Sequence, residues 1–176
     1  MADELLQRLA ERWPQDVELL PSSPDTPVLR VRAGALKEVA RFLREQGYRM
    51  LLDVGGVDYL GHRPAEERFE VVYHLLDVHE RRRLRLRVPL PEQDPRLDTV
   101  SDLWPSANWA EREVFDLFGI RFEGHPNLKR ILMPDDWQGH PLRKDYPLRG
   151  PERSRQPQAL RSRFAPLKLG AEEDGR

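Results

Sequence analysis

The first half of the chain alternates between hydrophobic repeats of helical period and of strand period. A stripe with Leu5, Leu9 and Trp13 predicts a helix over 3–13, and a stripe around Val39 and Leu43 predicts another over 35–46. Alternation or short apolar runs predict strands over 16–20, 28–32, 48–54, 68–76 and 83–88. This order indicates an α+β fold with two layers, in which helices cover one face of a mixed sheet of about five strands.

The last of these strands separates its two faces most clearly. Leu84 and Leu86 point one way, whereas Arg83, Arg85 and Arg87 point the other way. We expect the arginine face to meet water or an acidic partner, because a charge buried without a partner is unfavourable.

Glycine and tryptophan residues mark the regions between elements. Gly55-Gly56 follows a predicted strand and is interpreted as a bulge or tight turn, with a loop that a ligand approaches as the alternative. Trp104 and Trp109 flank Pro105, and we expect them to anchor the next helix to the sheet.

A third helix is predicted over 107–118, where an apolar stripe recurs with helical period: Ala107, Ala110, Val114 and Leu117. Ser106 is expected to cap its N-terminus, and Gly119 to end it in a left-handed conformation. The other flank is charged and aromatic: Glu111, Arg112, Phe115, Asp116 and Phe118. Arg112 and Asp116 are four residues apart and can pair there. A purely solvated flank would not need the two phenylalanines.

Residues 119–147 combine proline with large apolar residues. Pro126, Pro134, Pro141 and Pro147 exclude a long helix and a regular sheet ladder. The large apolar residues are Phe122, Leu128, Ile131, Leu132, Met133, Trp137, Leu142 and Tyr146. Such a segment must bury its side chains on its own domain or on a partner. We therefore divide the chain into an α+β domain (1–118), an extended partner-binding arm (119–148) and a flexible basic-then-acidic tail (149–176).

The composition narrows the chemistry available to this chain. It has 176 residues, a net charge of −1 and no cysteine, which excludes disulfides, a thiol nucleophile and cysteine-ligated iron–sulfur clusters from it. Phosphate-binding glycine motifs are absent as well. No apolar run approaches the ~20 residues that span a bilayer, and the acidic, amphipathic N-terminus is unlike a signal peptide, so we expect a cytoplasmic location.

The stretch 111–147 resembles a known family. The residues with matching identity and spacing are Glu111-Arg112-Glu113, Asp116-Leu117-Phe118, His125, Lys129, Ile131, Leu132 and the block GHPLRKDYP over 139–147. They are similar to the signature of the C subunit of the bacterial proton-pumping NADH:quinone oxidoreductase, respiratory complex I. The resemblance covers about a quarter of the chain, and its many fixed spacings make a chance match improbable.

The resemblance implies a non-catalytic structural subunit of the peripheral arm, on the cytoplasmic side of the membrane. Its partners would be the quinone-site subunit and the cluster-bearing neighbours. FMN and iron–sulfur clusters would lie in those partners, with no catalytic, cofactor-binding or metal-binding residue here. We predict that the partner interface contains Glu111, Arg112, Phe115, Asp116, Phe118, His125, Trp137, His140, Arg143, Asp145 and Tyr146.

Other interpretations remain open. The same module could serve a related membrane-bound hydrogenase or a ferredoxin-fed quinone reductase. A small nucleic-acid-binding protein could use the arginines over 81–87 and the basic tail. A metal site at His125 and His140, and acid–base catalysis by a pair among Glu111, Glu113 and Asp116, are further alternatives. We expect neither nucleic-acid binding nor membrane contact outside the complex.

Overall fold

The computed structural model describes residues 2–22 and 26–148, so the predicted tail over 149–176 lies outside the described residues. The elements that the sequence predicts are present: helices α1 (Ala2–Arg12) and α2 (Leu36–Glu45), and strands β1 (Val17–Leu20), β2 (Val28–Val31), β3 (Met50–Asp58), β4 (Phe69–Asp77) and β5 (Arg82–Leu90). Short 3-10 turns, Ala33–Ala35 and Ala65–Glu67, precede α2 and β4.

The strands form one mixed sheet in the order β1-β2-β5-β4-β3. β2 and β5 are parallel, and the other three neighbouring pairs are antiparallel. The expected alternation holds along β5, where Leu84 and Leu86 are buried while Arg83 is exposed and Arg85 half-buried. The predicted α+β class and five-stranded mixed sheet are confirmed.

The core lies between the sheet and the helices on one of its faces. Leu9 of α1 and Leu36 and Leu43 of α2 are fully buried in the same cluster as Tyr73 and Leu86 of the sheet. This burial removes a continuous apolar area from water and is the main stabilising contribution to the fold.

The glycine pair lies inside β3 and forms neither a turn nor the bulge that we expected. The irregularity in the strand falls between Leu51 and Asp53 instead. A Cβ atom on Gly56 would lie 2.6 Å from the ring of Phe118, whereas one on Gly55 would meet nothing within 4 Å. Gly56 therefore allows the third helix to approach the sheet closely.

Helix α3 (Ala107–Phe118) is flanked by two short parallel strands that the hydrophobic pattern did not predict, β6 (Arg96–Asp98) and β7 (Arg121–Glu123). Leu97, Ile120 and Phe122 from this region are buried in the core. The first residues of the predicted arm thus belong to the core, and no structural break coincides with the expected boundary after residue 118.

The ends of α3 differ from each other in how well they were predicted. Gly119 has φ +73°, and its N–H donates to the Phe115 carbonyl, so the expected C-terminal stop is confirmed. Ser106 does not cap the helix, because its hydroxyl donates to the Leu51 carbonyl at 3.1 Å. Trp104 is buried and donates to the Tyr48 carbonyl, but Trp109 is 66% exposed and is not an anchor.

None of the helices in the described part of the chain combines the length and the apolar character required to cross a membrane.

Candidate functional site

Asp116 joins α3 to the segment that follows β7. Its buried carboxylate accepts the backbone N–H groups of Ile131, Leu132 and Met133 at 2.8–3.0 Å, and a hydrogen bond from Arg130 at 2.8 Å. Burial acts to raise the pKa of Asp116, but these donors outweigh it and hold the pKa below its usual value. A single ionised side chain thereby fixes the path of three consecutive residues.

Arg112 holds the same loop from the neighbouring turn of α3. Its guanidinium donates to the carbonyls of Lys129 and Arg130 at 3.0 and 3.3 Å, and lies over the ring of Trp109. The predicted pair between Arg112 and Asp116 is therefore wrong. Each side chain bonds to the loop over 129–133, where backbone groups need hydrogen-bond partners.

Glu111, which the sequence pattern placed on the charged and aromatic flank of α3, is completely buried. Its carboxylate accepts the Val100 N–H at 2.8 Å and the Thr99 hydroxyl. Burial raises the pKa of Glu111 to about 7, although both hydrogen bonds oppose the shift. Glu111 is the interior support for the turn that precedes α3.

His125 is enclosed beside this carboxylate, with its Nε2 4.0 Å from a carboxylate oxygen of Glu111. Its Nδ1 accepts the Asn127 N–H at 3.0 Å, which leaves Nε2 to carry the proton and donate to the Asn108 carbonyl at 3.1 Å. His125 therefore attaches the start of the segment to the first turn of α3.

His140 and Arg143 satisfy carbonyls at the other end of α3. His140 Nδ1 lies 2.9 Å from the Asp116 carbonyl, and Arg143 donates to the Phe118 carbonyl at 2.6 Å. Burial lowers the pKa of His140, against the opposing effect of that carbonyl. A Cβ on Gly119 would lie 2.5 Å from His140 Nε2, so glycine is required there both for its positive φ and for space.

A buried ion cluster that the sequence did not predict attaches the end of the segment to the sheet. Arg68 is 3% exposed and contacts Asp58 at 3.0 Å, Glu92 at 2.7 Å and Asp145 at 2.9 Å. The Lys144 N–H also donates to Asp58 at 2.8 Å. Hydrogen bonding to Asp58 raises the pKa of Arg68 above its ordinary value. In the sequence, Arg68 begins a predicted strand, whereas Asp58 lies beyond the end of the predicted strand over 48–54, so no pattern linked the two residues.

These contacts define an arm segment, residues 124–146, that lies along α3 and reaches the sheet. Of the predicted interface residues, four have side chains buried within the chain itself: Glu111, Asp116, Phe118 and His125. Phe115 is half-buried against the His140 ring, and Tyr146 donates to the Gln138 carbonyl. Trp137 is half-buried as well. Contact of the predicted residues with a partner stays a prediction.

Large apolar side chains nevertheless remain exposed on and beside the arm segment. Leu132 is 57% exposed and Leu142 is 51% exposed, and Trp109 lies next to Arg112 on α3. Within residues 2–22 and 26–148, no group of three His, Asp or Glu side chains is arranged to bind a metal ion. The described geometry therefore offers an ordered apolar surface at the position where the family resemblance is strongest.

Comparison with known proteins identifies the family. The family described as "Respiratory-chain NADH dehydrogenase, 30 Kd subunit" matches residues 29–152, well over half of the chain. The chain belongs to this family. The match includes every strand from β3 to β7 together with α3 and the arm segment, so it extends far beyond the stretch that first suggested the resemblance.

Individual proteins named as subunits of NADH-quinone oxidoreductase are also similar to this chain in sequence. The C subunit of NADH-quinone oxidoreductase from Geobacter sulfurreducens is 56% identical over 117 residues, which cover 66% of this chain and 71% of that protein. The C/D subunit of the same enzyme from Edwardsiella ictaluri is 48% identical over 158 residues, which cover 85% of this chain but 26% of that longer protein.

Two solved structures share the fold. A trypsin-resistant fragment of Nqo5 is 39% identical, covers 73% of this chain and superposes with a TM-score of 0.66 over its whole length. A chain from the membrane-bound sulfane sulfur reductase, described as an archaeal respiratory membrane complex, has a TM-score of 0.70 over 99% of this chain and 98% of its own length. The latter is 24% identical, and we take from it the fold alone.

Proposed function

We propose that this chain is a non-catalytic structural subunit in the peripheral arm of NADH:quinone oxidoreductase. The complete enzyme passes electrons from NADH through FMN and iron–sulfur clusters to quinone and couples this to proton translocation. In this proposal those cofactors belong to partner subunits, because the sequence has neither a cysteine to ligate a cluster nor one of the usual phosphate-binding glycine motifs. In this role the chain holds its partner subunits in position on a rigid surface.

The proposal rests on the hydrogen bonds formed by those residues of α3 and the arm segment that resemble the family signature. Arg112, Asp116, His125, His140 and Arg143 all bond backbone groups of α3 or of the arm segment. Catalysis would instead require a nucleophile, base or acid directed at a substrate-sized pocket. The residues that resemble the family signature therefore build a surface, which is the role expected of a subunit that holds others in place.

An arm segment that is already ordered favours assembly. A disordered arm would lose conformational entropy on binding, whereas one held by these hydrogen bonds has lost most of it during folding. Exposed side chains such as Leu132 and Leu142 can then bind a partner with little further ordering. We propose that the partners are the quinone-site subunit and its cluster-bearing neighbours, on the cytoplasmic side of the membrane, and that the chain meets the membrane only through them.

A second candidate keeps the same role in a different enzyme. An equivalent subunit of a membrane-bound hydrogenase or a ferredoxin-fed quinone reductase is this second candidate, because the family-like residues of the sequence do not separate these enzymes. The 56% identity to a C subunit of NADH-quinone oxidoreductase favours the NADH-linked enzyme. We do not propose binding to nucleic acid, because Tyr59, the aromatic residue that accepts a hydrogen bond from Arg87 of β5, has the Arg63 guanidinium over its ring at 3.7 Å.

The test separates assembly from catalysis. A tagged chain with Leu132→Asp and Leu142→Asp replaces the wild type in its host, and membranes are solubilised in detergent. Each buried leucine contributes ~1.5–3 kcal/mol to an interface, so the double variant should recover much less assembled enzyme. The NADH:quinone activity per assembled complex should be unchanged.

Leu19→Asp is the matched control, because Leu19 is 53% exposed on the edge strand β1. It should leave the yield unaltered. Full assembly of the double variant with reduced turnover would contradict a structural role.

A further inference from the structure

On the face of the sheet that carries no helices, two arginines have no carboxylate partner among the described residues. Arg87 is paired there with Glu70 at 2.6 Å. Arg83 and Arg85, on the same side of β5, have no carboxylate oxygen within 4.0 Å in the described part of the chain. We call the surface around these two residues the open sheet face.

Strand register places aliphatic side chains beside both arginines. Leu76 and then Met50 lie in line with Arg83, and Val28 lies in line with Arg85. Met50 is 47% exposed. A groove of about 580 Å³ passes Arg85 and is lined in part by Val28, Val57 and Val72. Arginine within an aliphatic border is typical of protein interfaces, where arginine is enriched and lysine depleted.

The positive charge at Arg85 is incompletely compensated. Its Nε is buried and has no hydrogen-bond acceptor in the described structure. Burial lowers the pKa of the neighbouring His74, and Arg85 lowers it further, whereas Asp53, which pairs with His74 from the adjacent strand β3, opposes this shift. A carboxylate that reached the guanidinium would form a charge-assisted hydrogen bond and neutralise this site.

We propose that the open sheet face binds an acidic segment of another protein subunit. Its carboxylate would pair with Arg85 or Arg83, and its aliphatic side chains would cover Met50, Leu76 and the groove. We propose a protein as the ligand because a segment with acidic and aliphatic side chains would match both the positive charge and the aliphatic border of this face. A nucleic-acid strand would need exposed aromatic rings for its bases, and Tyr59, at the margin of this face, is covered by Arg63 at 3.7 Å.

This surface is separate from the arm segment, which lies along α3 on the other face of the sheet. The proposal rests on the proposed function only in that the chain must work inside a complex.

The absence of cysteine makes a direct test available. Met50→Cys introduces the only thiol of the chain, and Leu19→Cys provides a reference thiol at the edge of the opposite face. The rate of maleimide labelling is measured on the isolated chain and on the assembled complex purified from host membranes. We expect Met50→Cys to react at least tenfold more slowly in the complex, with a much smaller change for Leu19→Cys.

A photoactivatable crosslinker attached to Met50→Cys should capture another polypeptide, identified by mass spectrometry, and the captured segment should be acidic. The double variant Arg83→Glu/Arg85→Glu should abolish this crosslink, whereas Arg41→Glu, at an exposed position of α2, should leave it intact.

Equal labelling rates in the isolated chain and in the complex, or capture of nucleic acid, would overturn the proposal and leave the structural role standing. Failure to recover the chain in any multisubunit complex would overturn both.

Discussion

Replacement of Asp116 by alanine should release the loop over 131–133 without unfolding the protein. The substitution removes the shared acceptor of three backbone N–H groups and the carboxylate partner of Arg130. Alanine has a higher helix propensity than aspartate, which offsets part of the cost within α3. The effect should therefore be local, and the global unfolding temperature should change little.

The magnitude follows from the number of bonds and their exposure. Leu132 is exposed and its two neighbours are half-buried, so water can replace the lost acceptor. We therefore use the net value of about 1 kcal/mol for each hydrogen bond, rather than the larger value for buried groups, and obtain ~3 kcal/mol for local opening. At about 1.4 kcal/mol for each factor of ten, the protection of these amides against hydrogen exchange should fall roughly 100-fold.

Hydrogen exchange of Ile131, Leu132 and Met133 amides, followed by NMR or mass spectrometry, measures this directly. Asp135→Ala is the matched control, because Asp135 is exposed on the same loop and has no ion-pair partner in the described residues. Since the pKa of Asp116 is depressed, its stabilisation is present above the unfolded pKa and is lost as the pH falls through the folded value. Unchanged protection in Asp116→Ala would refute the assignment of these bonds.

Two further predictions concern the packing around α3. Gly56→Ala should lower the free energy of unfolding by ~1–3 kcal/mol, because its Cβ would lie 2.6 Å from the ring of Phe118, whereas Gly55→Ala should be neutral. Thermal unfolding of both variants measures this difference, and equal melting temperatures would contradict it. Glu111→Gln should remove a pH dependence. Because the folded pKa is raised, the wild type is most stable below the unfolded pKa. Its free energy of unfolding should fall by about 3 kcal/mol relative to the variant as the pH rises from 4.5 to about 7. Urea unfolding of both proteins at several pH values measures this, and the same pH dependence in both would contradict it.

Most of the sheet could be predicted because its pattern is local. In β5 each residue belongs to one face, so alternation identifies which side chains are buried; in β4 the same holds from Val71 onward, whereas Glu70 on the outer face is buried through its pairs with Arg63 and Arg87. Gly119 was predictable as well, since a left-handed residue after an apolar helix has few substitutes for glycine. β6 and β7 have three residues each, too few for a period to appear, and their pairing depends on contacts distant in sequence.

The errors at the candidate site have a common physical origin. The spacing of Arg112 and Asp116 permits an exposed pair worth only ~0.2–0.5 kcal/mol, which three backbone donors easily exceed. Glu111 was placed on the charged and aromatic flank of α3, and its burial was not predicted because its hydrogen-bond donors, Thr99 and Val100, lie in a connection without periodicity. In each case a side chain bonds to backbone groups that no sequence pattern marks.

The most direct test of the central claim is to recover this chain, tagged, from detergent-solubilised membranes of its host and to assay the eluate for quinone-dependent oxidation of NADH. We predict that flavin- and cluster-bearing subunits co-elute with that activity. Co-elution of cluster-bearing subunits without NADH oxidation would assign the chain to the related hydrogenase or ferredoxin-fed enzyme. Recovery of the chain alone would contradict its role as a structural subunit.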